Sequence, residues 1–323
     1  MTAQMQIPLR RLGKTEIEVS AIGLGVMQFA GGGKGLIGKA FPNLEDKDGI
    51  IKTALDGGIN WFDTAEMYGF GRSEQGLAAA LKAAGKQSDE VIVATKWLPL
   101  FRTARNIPKS IDNRIRFLDG YAIDVYMVHQ PWGFSSPESE MEAMADLVEA
   151  GKIRSVGVSN FDAARMPRAY EALKKRGLPL AVNQMSYSLI DRRIETNGVL
   201  DAAKELGVTI IAYTPIGYGL LTGKYHKNPQ LLEKAVFHER RRIARNLEPV
   251  RPLVQALEEI GTKYGAAPVQ VALNWLITFQ GESVVAIPGA TKAQHAEQSA
   301  GAMNFRMTDE EISRLDELSR QFR

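Results

Sequence analysis

Three observations predict a (β/α)8 barrel, an α/β fold of eight parallel strands. Short apolar runs bounded by turn residues alternate with longer segments of helical period, which is the pattern of β-α units. Eight such runs occur, the number that closes a barrel. No G-x-G-x-x-G follows an early run, which counts against the alternative of a doubly wound sheet. With 323 residues and 45% hydrophobic content, one barrel of roughly 250 residues plus insertions accounts for nearly the whole chain, so residues 1–323 are read as a single domain.

Taken in order, residues 10–12 and 17–20 flank a Gly-Lys-Thr-Glu turn and predict a β-hairpin that plugs the bottom of the barrel. The barrel strands are expected at 21–25, 59–63, 91–96, 122–129, 153–158, 181–184, 208–213 and 283–287. Helices are expected between them, at 45–55, 74–84, 108–117, 139–150 and 163–175 among others. Two segments, 28–44 and 215–249, are too long for simple connections, and both follow strands, on the face where barrel enzymes carry their active sites. The first contains the run Gly31, Gly32, Gly33, Gly35 and Gly38 but no G-x-x-x-x-G-K-S/T match. It reads as a flexible lid or rim rather than a phosphate cradle.

Composition removes several function classes. The 40 Lys and Arg and 37 Asp and Glu are dispersed and leave a net charge of +3, which does not imply nucleic acid. Without cysteine there is no disulfide, thiolate nucleophile or Cys-ligated zinc or iron-sulfur centre. The segment MTAQMQIPLRRLGKTEIEVS has no apolar h-region, and no stretch approaches the ~20 apolar residues that span a bilayer. A cytoplasmic protein with no membrane partner is expected, and a monomer is compatible with the sequence.

Catalytic groups of a barrel come from the C-terminal ends of different strands, so polar residues that end apolar runs are the ones to inspect. Asp63 closes the second barrel run, Lys96 the third and His129 the fourth, while Tyr68 lies in the loop after Asp63. Together they have a coherent chemistry. A phenol near pKa 10 is a poor acid unless a nearby cation stabilises its phenolate, and Lys96 is placed to be that cation. Asp63 supplies the carboxylate that keeps a buried lysine charged. His129 can donate a hydrogen bond that fixes a substrate oxygen beside the Tyr68 hydroxyl. The set is a tuned acid that needs no metal.

The blocks GINWFDTAEMYGFGRSE, VIVATKW and VYMVHQP, followed by GKIRSVGVSNF, AVNQMSYS, IIAYTPIGYGLLTGKY and VVAIPGATKAQHAEQ, closely resemble the motifs of the aldo-keto reductase superfamily in content and order. The resemblance implies a (β/α)8 barrel that reduces a small-molecule carbonyl substrate with NADPH bound in an extended pose. It implies Asp63, Tyr68, Lys96 and His129 as the catalytic tetrad. Ser159, Asn160 and Gln184 would hold the carboxamide, and Tyr213 would stack under the nicotinamide. Gly25, Val26, Met27, Thr214, Pro215 and Ile216 border the cofactor by the same correspondence. The segment 217–224, with Gly219, Leu220 and Lys224, would wrap the pyrophosphate.

In the last block, Gly289, Thr291, Lys292 and His295 fall where the family reads the adenosine end, with Lys292 as the cation for the 2′-phosphate. Gln298 and Ser299 stand where the family's Glu-Asn pair is usual, so NADH is admissible beside NADPH. Met27, Trp97, Gln130 and Trp132 follow or end strands and are expected to wall an apolar substrate pocket. The family also contains cofactor-sensing subunits that keep the barrel yet regulate a membrane channel with little turnover, which is the alternative function.

Overall fold

The computed structural model describes residues 8–31, 43–234 and 237–323. A hairpin of β1 (Leu9–Arg11) and β2 (Glu18–Ser20) precedes a sheet of β3 (Leu24–Gly25), β4 (Trp61–Asp63), β5 (Ile92–Trp97), β6 (Val125–Val128), β7 (Ser155–Ser159), β8 (Leu180–Ser186), β9 (Thr209–Tyr213) and β10 (Val284–Ala286). These eight strands lie side by side in chain order, and each neighbouring pair is parallel. Gly23 N donates to Ala286 O at 2.8 Å and Ala286 N to Ala21 O at 3.0 Å, so the last strand meets the stretch leading into the first and the sheet closes into a barrel. Residues 21–23 are used mainly in that closure, which is why β3 is shorter than its apolar run.

The two-residue period of a strand sorts the core. Trp61, Ala94, Val125, Met127, Val182, Ile211 and Val285 point into the barrel. Leu12, Ile17 and Val19 of the hairpin region fill the same interior from its lower end. Phe62, Val93, Tyr126, Val128, Val156 and Val158 point outward against the helices. The five expected helices are Lys47–Asp56, Arg72–Ala83, Ile107–Leu118, Pro137–Glu149 and Arg165–Lys175. Local chemistry starts them: Asp46 accepts from Gly49 N, and Ser136 accepts from Ser139 N with Pro137 following.

Of the segment 28–44, only its ends are described, beginning with a 3-10 turn at Met27–Ala30; the lid expectation falls on residues 32–42, outside the described residues. The segment 215–249 is no simple connection: it carries helical turns at Gly217–Thr222 and Pro229–Lys234. A long helix, Phe237–Tyr264, begins inside it and runs through Pro249 and Pro252. Buried Ile243, Val250, Leu253, Leu257 and Ile260 recur at helical spacing, and their packing sustains the helix where the prolines weaken it. Among the described residues, no helix is long and apolar enough to cross a membrane.

Gly23 marks the tightest approach beside the first strand. A Cβ there would sit 2.2 Å from the Trp61 ring, whose indole N–H donates to Ser20 O at 2.8 Å. Gly23→Ala is expected to cost about 1–3 kcal/mol through overpacking. The check is the midpoint of thermal unfolding; a midpoint equal to wild type would refute the close approach.

Candidate active site

The strand period that builds the core also builds the site. Trp61 points inward, so Asp63 does as well; Ala94 points inward, and Lys96 with it; Val125 and Met127 point inward, and His129 continues their row. Adjacent parallel strands bring these three ends together at the mouth. Lys96 is fully buried, and its Nζ donates to Asp63 Oδ1 at 2.5 Å and to Thr64 O at 2.8 Å. The second carboxylate oxygen of Asp63 accepts from Gln184 Nε2 at 2.8 Å. Tyr68 is half-buried, its ring centroid 5.2 Å from Lys96 Nζ, and it meets the His129 ring edge-on at 5.6 Å. The four expected catalytic residues therefore form one cluster.

Electrostatics assigns their charge states. Burial pulls Lys96 down, but Asp63 and Tyr68 outweigh it and hold the ammonium above its ordinary value. Burial raises the Asp63 carboxyl, against the opposing pull of Lys96 and Gln184. Burial also raises the Tyr68 phenol; the charge and hydrogen bond of Lys96 oppose this, while Asp63 adds to it. The expectation that Lys96 makes the phenol more acidic thus has the right sign for that one interaction but not for the sum. Desolvation wins, and Tyr68 stays protonated well past neutral pH. Burial first, and Lys96 second, push His129 down to about 3, leaving a neutral imidazole.

The loop that carries Tyr68 is clamped by a residue the sequence reading passed over. Glu66 is buried; its carboxylate accepts from Leu98 N and from Arg102 Nη1, each at 2.9 Å. Arg102 O in turn accepts from Phe134 N at 2.9 Å, tying in the loop after His129.

Across the mouth, β7, β8 and β9 present a second, hydrogen-bonded group. Ser159 Oγ donates to Gln184 O at 3.0 Å and accepts from Asn160 Nδ2 at 3.1 Å, while Asn160 Oδ1 accepts from Tyr213 OH at 2.9 Å. Two amides, a hydroxyl and a half-buried phenol ring are a donor and acceptor set suited to a carboxamide beside a flat ring. Beyond β9, Gly219 has φ +85°, a left-handed conformation that glycine takes without strain, and the end of the Lys224 side chain lies over it.

The aldo/keto reductase family model matches residues 21–320. The chain belongs to the aldo/keto reductase family. It is 32% identical to an aldo-keto reductase of Schizosaccharomyces pombe whose name specifies NADP(+), over 97% of this chain and 92% of that one. It is 31% identical to a chloroplastic pyridoxal reductase of Arabidopsis thaliana, over 96% and 86%. The crystal structure of a thermostable aldo-keto reductase in complex with the inhibitor epalrestat superposes with a TM-score of 0.76 at 29% identity, covering 96% of this chain and 99% of that one. The protein is an oxidoreductase.

The remaining positions expected to border a cofactor lie at or just after the ends of β3, β9 and β10, though not all of them offer a side chain. Gly25 and buried Val26 lie at the end of β3, with Val26 N donating to Asp63 O at 2.9 Å. Thr214 takes φ +53° and is followed by buried Pro215 and half-buried Ile216. Leu220 is buried with Tyr225 and Ile243, so only its backbone can face a ligand. Gly289, Thr291, Lys292 and His295 are exposed, and Gln298 is half-buried. Burial and the charges of Lys224 and Lys292 lower the His295 imidazole, which shows three basic side chains near the start of helix Ala293–Gly301. Ser299 is buried, and its hydroxyl donates to His295 O at 2.8 Å.

In the expected substrate pocket, Met27 and Trp132 are exposed and Gln130 is half-buried at the mouth. Trp97 is different. Lys96 points inward, so its neighbour points outward, and Trp97 is fully buried with the packing between barrel and helices. The sequence reading also missed Phe70, Phe101 and Phe134, exposed on loops of this face. Phe70 and Phe134 each neighbour a glycine and all three lie on loops after strands, but no pattern in the sequence marks an aromatic side chain as exposed.

His129 provides a pH test. Its folded value lies below the ordinary 6.5, so its neutral burial stabilises the fold fully above that value and the contribution is lost as pH falls from 6.5 toward 3. His129→Gln removes the titration. Its thermal midpoint should fall less steeply than that of wild type between pH 6.5 and about 4; parallel curves would show that His129 is not held neutral.

Proposed function

We propose that this protein reduces aldehydes or ketones to alcohols with NADPH, an EC 1.1.1 type of reaction, with Tyr68 as the proton donor. The observation that carries the proposal is the Lys96 ammonium, held by Asp63 and set against the Tyr68 phenol, with neutral His129 edge-on to the same ring. The plant relative's named substrate, pyridoxal, is an aldehyde, which supports the same class here.

NADPH, when bound, supplies hydride to the carbonyl carbon. Ser159, Asn160 and Gln184 would hold its carboxamide, and Tyr213 would offer its ring face to the nicotinamide. Residues 217–224 would take the pyrophosphate, and Lys292, with Lys224 and His295 nearby, the 2′-phosphate. Tyr68 gives its phenolic proton to the carbonyl oxygen as negative charge develops there. Lys96 stabilises the phenolate that remains, and Asp63 keeps Lys96 charged. A neutral His129 N–H orients the oxygen toward Tyr68. In alcohol oxidation the same groups act in reverse.

Tyr68→Phe tests the assignment. A fall in kcat/KM of about 100-fold or more is expected with NADPH affinity retained, measured by NADPH consumption and by cofactor fluorescence. Equal rates would remove Tyr68 from the role. Lys292→Ala tests cofactor choice: the NADPH dissociation constant should rise about tenfold relative to that of NADH. An unchanged ratio would place 2′-phosphate recognition elsewhere.

A further inference from the structure

Exposed large hydrophobic residues are not scattered over this molecule. Among the described residues, all of them except Leu9 and Ile115 lie on the loops that follow β3, β4, β5 and β6, one half of the barrel mouth. Four are aromatic: Phe70, Phe101, Trp132 and Phe134, between 57% and 79% exposed. Phe101 and Phe134 approach each other with ring centroids at 6.4 Å, and the Phe134 N–H bond to Arg102 O fixes their loops together. Exposed apolar side chains gathered on one group of neighbouring loops, with Phe101 and Phe134 in contact, point to a binding surface.

The backbone supplies a second, independent observation. Phe70 and Phe101 have φ of +55° and +57°, the left-handed region that bulky side chains avoid. Neither ring is buried, so core packing does not compensate the strain. Strain kept to hold an aromatic ring in solvent beside a reaction centre is a sign of function.

Among the described residues, charge divides the mouth in the same way. The segment QPWGFSS, residues 130–136, carries no charge, and Arg102 is paired with Glu66. Lys224, Lys292 and His295 lie on the loops and helix after β9 and β10. The proposed proton donor and His129 stand on this half and share loops with the aromatic residues: Phe70 follows Tyr68 in the loop after β4, and Trp132 and Phe134 follow His129 in the loop after β6.

We infer that the substrate is an aldehyde or ketone with a bulky apolar tail bearing an aromatic ring, and that Phe70, Phe101, Trp132 and Phe134 hold that tail outside the barrel. This rests on the carbonyl-reductase reading above. Small polyhydroxy aldehydes and phosphorylated ones gain nothing from such a rim.

The full-length protein with NADPH is assayed with propanal, glyceraldehyde, glyceraldehyde 3-phosphate and 5-phenylpentanal. The phenyl-tailed aldehyde should have a kcat/KM about tenfold or more above propanal, and the two glyceraldehydes should not exceed propanal. In Phe101→Gly the ratio of phenylpentanal to propanal should fall about tenfold, while the thermal midpoint is retained or raised, because glycine takes this φ without strain. Phe134→Ala should lower the same ratio. A ratio near one in wild type, or one that neither variant changes, overturns the inference. A dimer that Phe101→Gly dissociates without altering the ratio also overturns it and gives the rim to a second copy of the chain. Turnover of no aldehyde at all would instead remove the carbonyl-reductase reading and this inference with it.

Discussion

A buried ion pair, Lys96 with Asp63, is the constraint on which the rest of the site depends. Either charge alone in the barrel interior would cost several kcal/mol, and the pair is tolerable only with good geometry and its remaining hydrogen bonds satisfied. Thr64 O and Gln184 Nε2 supply those bonds. The geometry comes from the register of β4 on β5 and β5 on β6, which pairs Asp63 with Ala94 and Lys96 with Met127, so that each inward-facing residue reaches across to the next strand end. Once fixed, the ammonium acts on both other members of the cluster, opposing the rise of the Tyr68 phenol and adding to the fall of the His129 imidazole. Two residues that look like an acid and a base in isolation become a protonated phenol and a neutral imidazole.

The parts of the site legible in the sequence are those set by strand periodicity. Asp63, Lys96 and His129 each interrupt an apolar run at its end, and alternation along the strand fixes which way they point. The same alternation explains the misreading of Trp97: proximity in sequence to a site residue puts a strand neighbour on the opposite face. Ser299 shows a different limit: a serine on a helix can bond the carbonyl four residues back, and its hydrogen goes to His295 O, a use that its place in the motif does not reveal.

Features held by tertiary context were not legible. The helix through Pro249 persists because a row of buried side chains outweighs the local signal of two prolines. The exposure of Phe101 depends on a backbone angle, and that of Trp132 on what lies opposite it, neither of which a single sequence reveals. The Glu66–Arg102 clamp joins residues thirty-six apart, and its meaning appears only when the loops after β4 and β5 are seen side by side.

Gln184 has a consequence beyond its own neighbourhood. β4 and β8 stand four places apart in a ring of eight strands, so the bond from Gln184 to Asp63 crosses the full bore of the barrel. It is a cross-brace, with one end on the group that keeps Lys96 charged and the other within the Ser159–Asn160–Tyr213 cluster. The walls that carry the Asp63–Lys96 pair and the Ser159–Asn160–Tyr213 cluster are thereby tied by a side-chain bond as well as by the ladder of the intervening strands.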